Sequence, residues 1–319
     1  MTLHKREKLV VIIGPTAVGK TDLSLELAEQ FDGEIISGDS MQVYREMNIG
    51  TAKAAPEELA RVPHHLIDII SPSDEYSVAQ FQDSATRLIT EINQRGHLPF
   101  IVGGTGLYIE SVTHRFQFSQ TSQDPELRDR LQRLADTEGV EALHSRLEAV
   151  DPVTAERLHP NDVKRVIRAL EIYECSGYKM SDFQLRAQYS PYDLVIIGLT
   201  MDREKLYQRI NHRVDLMIEA GLIEEVRSLL DRGYDATLVS MQGLGYKEVI
   251  PYLYGEVTLE KAVNDIKQRT RHFAKRQLSW FRRMPQIEWF DMTDPAEQQN
   301  NVQTIKQILA GKFHQLPNI

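Results

Sequence analysis

"IIGPTAVGKT", residues 12–21, is an apolar run that breaks into a glycine-bounded turn and ends on Lys-Thr. It fits G-x-x-x-x-G-K-[ST], the loop whose backbone N–H groups cradle phosphate at the start of a helix. The context such a loop requires stands on both sides. "KLVVIIG" (8–14) reads as a strand buried on both faces, and "TDLSLELAEQF" (21–31) puts Leu23, Leu27 and Phe31 on one helical stripe. With "EIISGD" (34–39) as the next strand, the order strand, loop, helix, strand predicts a doubly wound α/β sheet. Gly14, Pro15, Thr16, Ala17, Val18 and Gly19 would form the cradle, Lys20 would reach a terminal phosphate oxygen, and Thr21 would ligand Mg²⁺. The motif is strong for phosphate and silent on which phosphate.

Outward from the loop, "HLIDII" (65–70), "LPFIVGG" (98–104), "DLVIIGL" (193–199) and a late "IEWFD" (287–291) continue the strand pattern. Between about 113 and 190 the character changes to charged segments with helical periodicity. Asp124-Pro125, Asp151-Pro152 and Pro160-Asn161-Asp162 read as helix starts, and Ser176-Gly177 as a helix stop. The expected organisation is an α/β core from residues 1–112 and 191–319, ending in C-terminal helices, with an all-helical insertion at 113–190.

The 319 residues are 41% hydrophobic and 26% charged, ordinary for a globular protein with a sizeable core. A net charge of −9 excludes a chain coated in basic residues, so any nucleic-acid contact must come from a local patch. One cysteine, Cys175, excludes an internal disulfide and a cysteine-rich zinc module, and suits a reducing compartment. The opening "MTLHKREKLVVIIG" has basic residues before an apolar run, but the run is too short for a signal peptide and leads into the phosphate loop. No stretch reaches membrane-spanning length. The expectation is a cytoplasmic protein with no membrane contact.

Four further stretches carry chemistry. "SGDSMQVYREMNIGTAK" (37–53) follows the second strand, and ligands in such sheets bind beyond the strands' carboxyl ends, so Asp39 should face the phosphate loop. There it would ligand a metal indirectly or accept a proton; spacing alone supports a helix or turn cap equally. "IVGGTGLYI" (101–109) ends a strand in Gly103-Gly104-Thr105-Gly106, with no carboxylate where nucleotide hydrolysis usually wants one. In "LYQRINHRVDLMIEAG" (206–221), Arg209 and Arg213 stand four apart, able to clamp an oxyanion together, though a solvated pair is equally common.

The last is the predicted helix 259–283. Leu259, Val263, Ile266, Phe273 and Phe281 form an apolar stripe. Lys267, Arg271, Lys275 and Arg282 follow one flank, with Arg269, Arg276 and Arg283 beyond it. No acidic residue occurs from 267 to 283 in a chain of negative net charge, which favours a polyanion footprint over a solvated face.

Seven segments in order, "GPTAVGKT", "SGDSMQVYREMNIGTAK", "PHHLIDI", "FIVGGTGLYI", "HPNDVKRVIRALEIYECSG", "SMQGLGYKE" and "RHFAKRQLSWFRR", resemble the tRNA dimethylallyltransferases (isopentenyl-diphosphate:tRNA transferases) of bacterial type. The resemblance runs from near residue 10 to near 291. It implies a P-loop kinase-like core with a helical insertion that embraces the tRNA anticodon stem-loop. It also implies transfer of a dimethylallyl group from dimethylallyl diphosphate to N6 of the adenosine immediately 3′ of the anticodon, in tRNAs reading U-initial codons.

By that resemblance Asp39 is the general base, Thr105 assists it, and Lys20 and Arg213 hold the leaving diphosphate, with Arg209 in reserve. Ser40, Met41 and Gln42 would hold the extruded adenine region. Val163, Lys164, Arg165, Val166 and Ile167 would touch tRNA from the insertion. So would Met241, Gln242, Gly243, Leu244, Gly245 and Tyr246, and likewise Lys275, Arg276, Gln277, Leu278, Ser279, Trp280, Phe281 and Arg282. Mg²⁺ is the expected cofactor and a monomer the expected state.

Two enzyme alternatives share the first motif: a nucleotide-type kinase, and an isopentenyltransferase acting on free adenine nucleotides. Neither requires the insertion or the acid-free basic helix. A GTPase-like RNA-binding module would want an N-K-x-D motif, and the sequence has none.

Overall fold

The computed structural model describes residues 6–116, 118, 124–183 and 190–313; the first five residues of the basic N-terminal segment lie outside that set. Six strands form one parallel sheet: β1 (Lys8–Ile13), β2 (Gly33–Ser37), β3 (His64–His65), β4 (Leu98–Gly103), β5 (Asp193–Thr200) and β6 (Ile287–Asp291). Their order is β3-β2-β4-β1-β5-β6. β1 lies between β4 and β5, pairing Val10 with both Phe100 and Val195. A strand paired on both sides and covered on both faces has no solvent side, which is why "KLVVII" shows no polar alternation. The pleat still sorts its side chains: Val10 and Ile12 enter one core cluster, Leu9, Val11 and Ile13 the other.

Helices cover both faces. α1 (Lys20–Gln30) follows the phosphate loop and buries Leu23 and Leu27 in the first cluster, with Phe31 at its C-terminal cap. The four-residue α2 (Pro56–Leu59) leads to β3. α3 (Val78–Gln94) is held at its start by a reciprocal cap, in which Ser77 Oγ accepts the Gln80 N–H and Gln80 Oε1 accepts the Ser77 N–H. It lays Phe81, Ala85, Ile89 and Ile92 on the second cluster, each fully buried, as does α4 (Gly106–Thr113) with Ile109 and Val112. Each such large side chain contributes roughly 1.5–3 kcal/mol by leaving water.

The chain divides into two compact units, Met1–Thr113 with Ser190–Ile319, and His114–Tyr189. In the second, α5 (Pro125–Glu138), α6 (Val140–Val150), α7 (Pro152–Arg157) and α8 (Val163–Ser176) enclose their own core around Leu131, Leu143, Leu147 and Val166. Asp124 and Asp151 cap α5 and α7 by accepting the Leu127 and Thr154 N–H groups, and Gly177 ends α8 in a left-handed conformation. The buried Glu171 binds Arg128 through two nitrogens, at 2.8 and 2.9 Å, and also Arg168.

Among the described residues, five helices complete the first unit: α9 (Arg203–Glu219), α10 (Leu222–Asp231), α11 (Tyr246–Leu253), α12 (Leu259–Phe281) and α13 (Pro295–Phe313). α9 to α12 build a third apolar cluster with Val43, Tyr44 and Met47 from the segment after β2.

The structure corrects one strand. Of "HLIDII" only His65 pairs with β2, next to His64 before it. Leu66 and Asp68 turn into left-handed conformations, φ 61° and 56°, which no strand accommodates. Ile69 and Ile70 give their N–H groups to the Val43 carbonyl instead of a ladder.

Candidate active site

One pocket collects the expected chemistry, and every described residue lining it belongs to the first unit. Its phosphate-loop side is Thr16, Lys20 and Thr21. The loop turns into α1 at Gly19, whose left-handed φ of 105° suits glycine. Lys20 Nζ bonds back to the Gly14 and Pro15 carbonyls at 3.0 and 2.8 Å, so its ammonium already lies over the cradle. Burial, with Arg213 adding repulsion and Asp39 opposing both, brings Lys20 down from 10.5 to about 7. An arriving diphosphate finds cationic groups short of counter-charge.

Asp39 faces these cations. The backbone fixes its carboxylate: Met41 N–H donates to Oδ1 at 2.8 Å. Burial pushes its pKa above the ordinary 3.8, against the pull of that backbone donor and of Lys20 and Arg213. A raised pKa in a pocket is what a proton acceptor needs. Of the arginine pair, Arg213 lines the pocket, whereas Arg209 is exposed with its guanidinium beside Gly19. Burial, opposed by Asp39 and reinforced by Arg209, lowers the Arg213 pKa.

The glycines at the end of β4 allow a close approach. A Cβ on Gly103 would stand 2.3 Å from the Gly38 carbonyl oxygen, so the Asp39 loop and the β4 loop touch backbone to backbone. Thr105 Oγ1 accepts the Ser40 N–H at 3.1 Å and lies 3.4 Å from Ser40 Oγ. Its hydroxyl thus locks the Asp39 loop from the side, a supporting position. Gln42 Oε1 accepts from Ser37 Oγ, and its Nε2 donates to the Thr51 and Ala52 carbonyls; the whole amide is engaged within the pocket wall.

Three residues line the pocket that the sequence reading above did not place there. Gln277, expected at RNA, is buried instead, its Oε1 on Thr16 N–H and its Nε2 on the Gly104 carbonyl. Phe273, expected only in the apolar stripe, also lines the pocket. His64 Nδ1–H donates to the Val62 carbonyl at 2.8 Å, and burial lowers its pKa. Its place at the carboxyl end of a parallel strand was the available signal.

The expected RNA segments divide sharply by burial. Val166, Ile167, Met241, Tyr246 and Phe281 are packed in apolar clusters, and Met41 lies against Gly243, so these side chains build elements and do not face outward. Val163, Leu244 and Leu278 are half-buried, and Gly245 caps α11. The Trp280 ring rests on Gly106. Exposed are Lys164 and Arg165 at the start of α8, Gln242, and on α12 Lys275, Arg276, Ser279 and Arg282.

The basic arc of α12 is narrower than its sequence suggests. Lys267 pairs with Asp215 at 2.5 Å, Arg269 with Glu248 at 3.4 Å, and Arg271 bonds Asn211 at 2.6 Å. α9 and α11 supply the acids that the stretch from 267 onward lacks. Lys275 and Arg276, with Arg282 and Arg283 just past the helix end, are exposed cations.

For a divalent metal the donor set is sparse. No group of three or more His, Cys, Asp or Glu side chains able to hold an ion occurs among the described residues. Thr21 presents an exposed residue at the pocket, which fits an ion carried in by a diphosphate rather than one caged by protein.

Comparison with known proteins places the chain in a family. A family model described as IPP transferase matches residues 42–284. The tRNA dimethylallyltransferase of Geobacillus kaustophilus (strain HTA426) is 51% identical over 314 residues, covering 98% of this chain and 99% of that protein. The crystal structure of a full-length tRNA isopentenylpyrophosphate transferase from Bacillus halodurans is 52% identical, covers 97% of each chain and has a TM-score of 0.73. A eukaryotic dimethylallyltransferase, solved acting on tRNA, is 32% identical and covers 96% of this chain and 79% of that one, with a TM-score of 0.83. By the span of the family match and by identity over nearly its whole length, this chain belongs to the IPP transferase family.

Proposed function

We propose that this chain, as a cytoplasmic monomer, transfers the dimethylallyl group of dimethylallyl diphosphate to N6 of the adenosine 3′ of the anticodon in tRNAs reading U-initial codons. The observation that carries the reading is the pocket itself: a phosphate cradle and one half-buried carboxylate, Asp39, the sole acidic side chain among the described residues lining it. Family membership supplies the tRNA acceptor. No helix among the described residues is long and apolar enough to cross a membrane.

The chemistry follows from charge. The allylic C–O bond breaks with its electron pair leaving on the diphosphate, and the N6 lone pair forms the new C–N bond. Negative charge therefore grows at the cradle, where loop N–H groups, Lys20 and Arg213 are fixed before reaction and need not reorganise. N6 loses a proton as it bonds, and Asp39 accepts it. Mg²⁺, held by Thr21 and the donor's own oxygens, would supply further neutralisation of the leaving group. The adenine must leave its stack to reach Asp39, at a cost of a few kcal/mol. Lys275, Arg276 and Arg282, with Lys164 and Arg165 of the insertion, would meet RNA phosphates and offset that cost.

The test is transfer of label from dimethylallyl diphosphate with unmodified tRNA, AMP and ATP as competing acceptors. Label in tRNA is the expected result; label in AMP with none in tRNA overturns the reading.

A further inference from the structure

Residues 48–54 belong to no helix or strand, yet Thr51, Ala52 and Ala54 line the pocket that holds Asp39 and Lys20. A wall without a ladder of its own must have its backbone groups fixed by something else. At residues 48–50 one side chain does this. Glu225 on α10 accepts the Asn48 and Ile49 N–H groups on Oε2, each at 2.9 Å, and the Gly50 N–H on Oε1 at 3.1 Å. Oε1 also accepts the Tyr246 hydroxyl at 2.6 Å. Three successive N–H groups converging on one anion make a nest whose anion is the protein's own. The Tyr246 ring closes the clamp: a Cβ on Gly50 would stand 2.4 Å from its Cε2.

From Gly50 the constraint passes toward the reacting atoms. The Thr51 and Ala52 carbonyls accept the Gln42 Nε2, each at 3.3 Å. Gln42 Oε1 accepts from Ser37 Oγ at 2.8 Å, and Ser37 Oγ accepts the Asp39 N–H at 3.4 Å. Ala52 itself holds a left-handed φ of 49°, a conformation unfavourable to a non-glycine residue that persists only where the surroundings over-determine it.

We propose that Glu225 is a positioning residue of the transfer reaction: through the 48–52 backbone and Gln42 it sets the pocket wall and the Asp39 loop, without touching either substrate. The inference rests on the tRNA-prenylation reading above. Glu225→Gln keeps the volume but, whichever way the amide turns, sets its NH₂ against at least one backbone N–H, which can only donate, so the clamp opens with little change in packing.

The experiment measures kcat, donor KM and tRNA Kd for Glu225→Gln, Gln42→Ala and the double variant, with Glu225→Gln/Lys275→Ala as the control pair. Misplacement of the wall is expected to lower kcat by about ten- to a hundred-fold, since displacements near 1 Å cost that much, with tRNA Kd within about two-fold of wild type. The double variant with Gln42→Ala is expected to be little worse than the poorer single, whereas the losses with Lys275→Ala multiply. A side chain that merely stabilises the fold lowers the thermal midpoint without coupling to Gln42. Wild-type kcat in Glu225→Gln, or losses that multiply with Gln42→Ala, overturns the proposal. Should Glu225→Gln fail to fold, Tyr246→Phe removes one donor only, and a kcat loss of about two- to five-fold with the same coupling is expected; its absence overturns the proposal too. The acceptor reading is scored on wild type in the same assay. Label entering AMP alone would sink that reading, while the coupling is still read on whichever acceptor takes the label.

Discussion

Gln277 Oε1 accepts the Thr16 backbone N–H at 2.9 Å, so a side chain 261 residues away fixes the phosphate loop. The same amide donates to the Gly104 carbonyl at 3.0 Å, tying β1's loop to β4's. Gln277→Ala orphans a donor and an acceptor at once, a loss of about 1–3 kcal/mol of stability for each group left buried and unpaired. The expected variant melts earlier and has a raised donor KM, while the salt dependence of tRNA binding keeps its slope. An altered slope with unchanged donor KM would return Gln277 to the RNA contact that its sequence neighbourhood suggests.

Asp39→Asn retains an oxygen for the Met41 N–H and so keeps the loop, but it removes the proton acceptor. Transfer is expected to fall by about 10²–10⁴-fold, the usual worth of a positioned base, with tRNA Kd unchanged. Because burial raises the Asp39 pKa, wild-type kcat should fall on the acid side at a pH above the ordinary carboxylate value. Filter binding alongside single-turnover transfer separates the two effects. Loss of tRNA binding in step with transfer would make Asp39 a structural cap.

Paired and unpaired cations on α12 should behave differently. Lys275→Ala with Arg276→Ala removes two exposed charges and should cut the slope of log K against log salt by about 1.8, at roughly 0.9 per phosphate contact. Lys267→Ala, which leaves Asp215 without its partner, should leave that slope alone. Equal slopes for all three proteins would mean the footprint lies elsewhere.

The phosphate loop was legible because it is local: strand, glycines, lysine and helix stand within 25 residues, and each constrains the next. Asp39 was legible by position, at the carboxyl end of a parallel strand. What could not be read depends on partners distant in the chain. Lys267 and Arg269 look free until α9 and α11 bring Asp215 and Glu248 to them. "MQGLGY" looks like an exposed RNA motif until the third cluster buries Met241 and Tyr246. Glu225, an ordinary acid in an amphipathic helix, acquires its task only when 48–50 folds onto it. β3 stops at two residues because Val43, not a ladder partner, takes the next N–H groups.

Glu34, at the start of β2, tests how far that shortest strand depends on charge. Its buried carboxylate accepts Arg95 through Nε and Nη2, His65 Nε2 at 2.7 Å and His97 Nδ1 at 2.8 Å. Burial works to raise its pKa, but the bonds from Arg95, His65 and His97 outweigh it and hold Glu34 down at about 2, against 4.5 unperturbed. Between those values the unfolded chain carries the extra proton, so stability rises with pH across the window and is lost as pH falls through it. Wild type should therefore lose thermal midpoint more steeply than Glu34→Gln below pH 4.5, with the two curves converging toward pH 2. Parallel curves would show that the cluster contributes no net stability. His65 is also the last residue of β3, paired with Ile36, and its neighbour His64 lines the pocket. Protonating Glu34 thus loosens the strand that presents His64, and donor affinity should weaken over the same acidic window before the fold is lost.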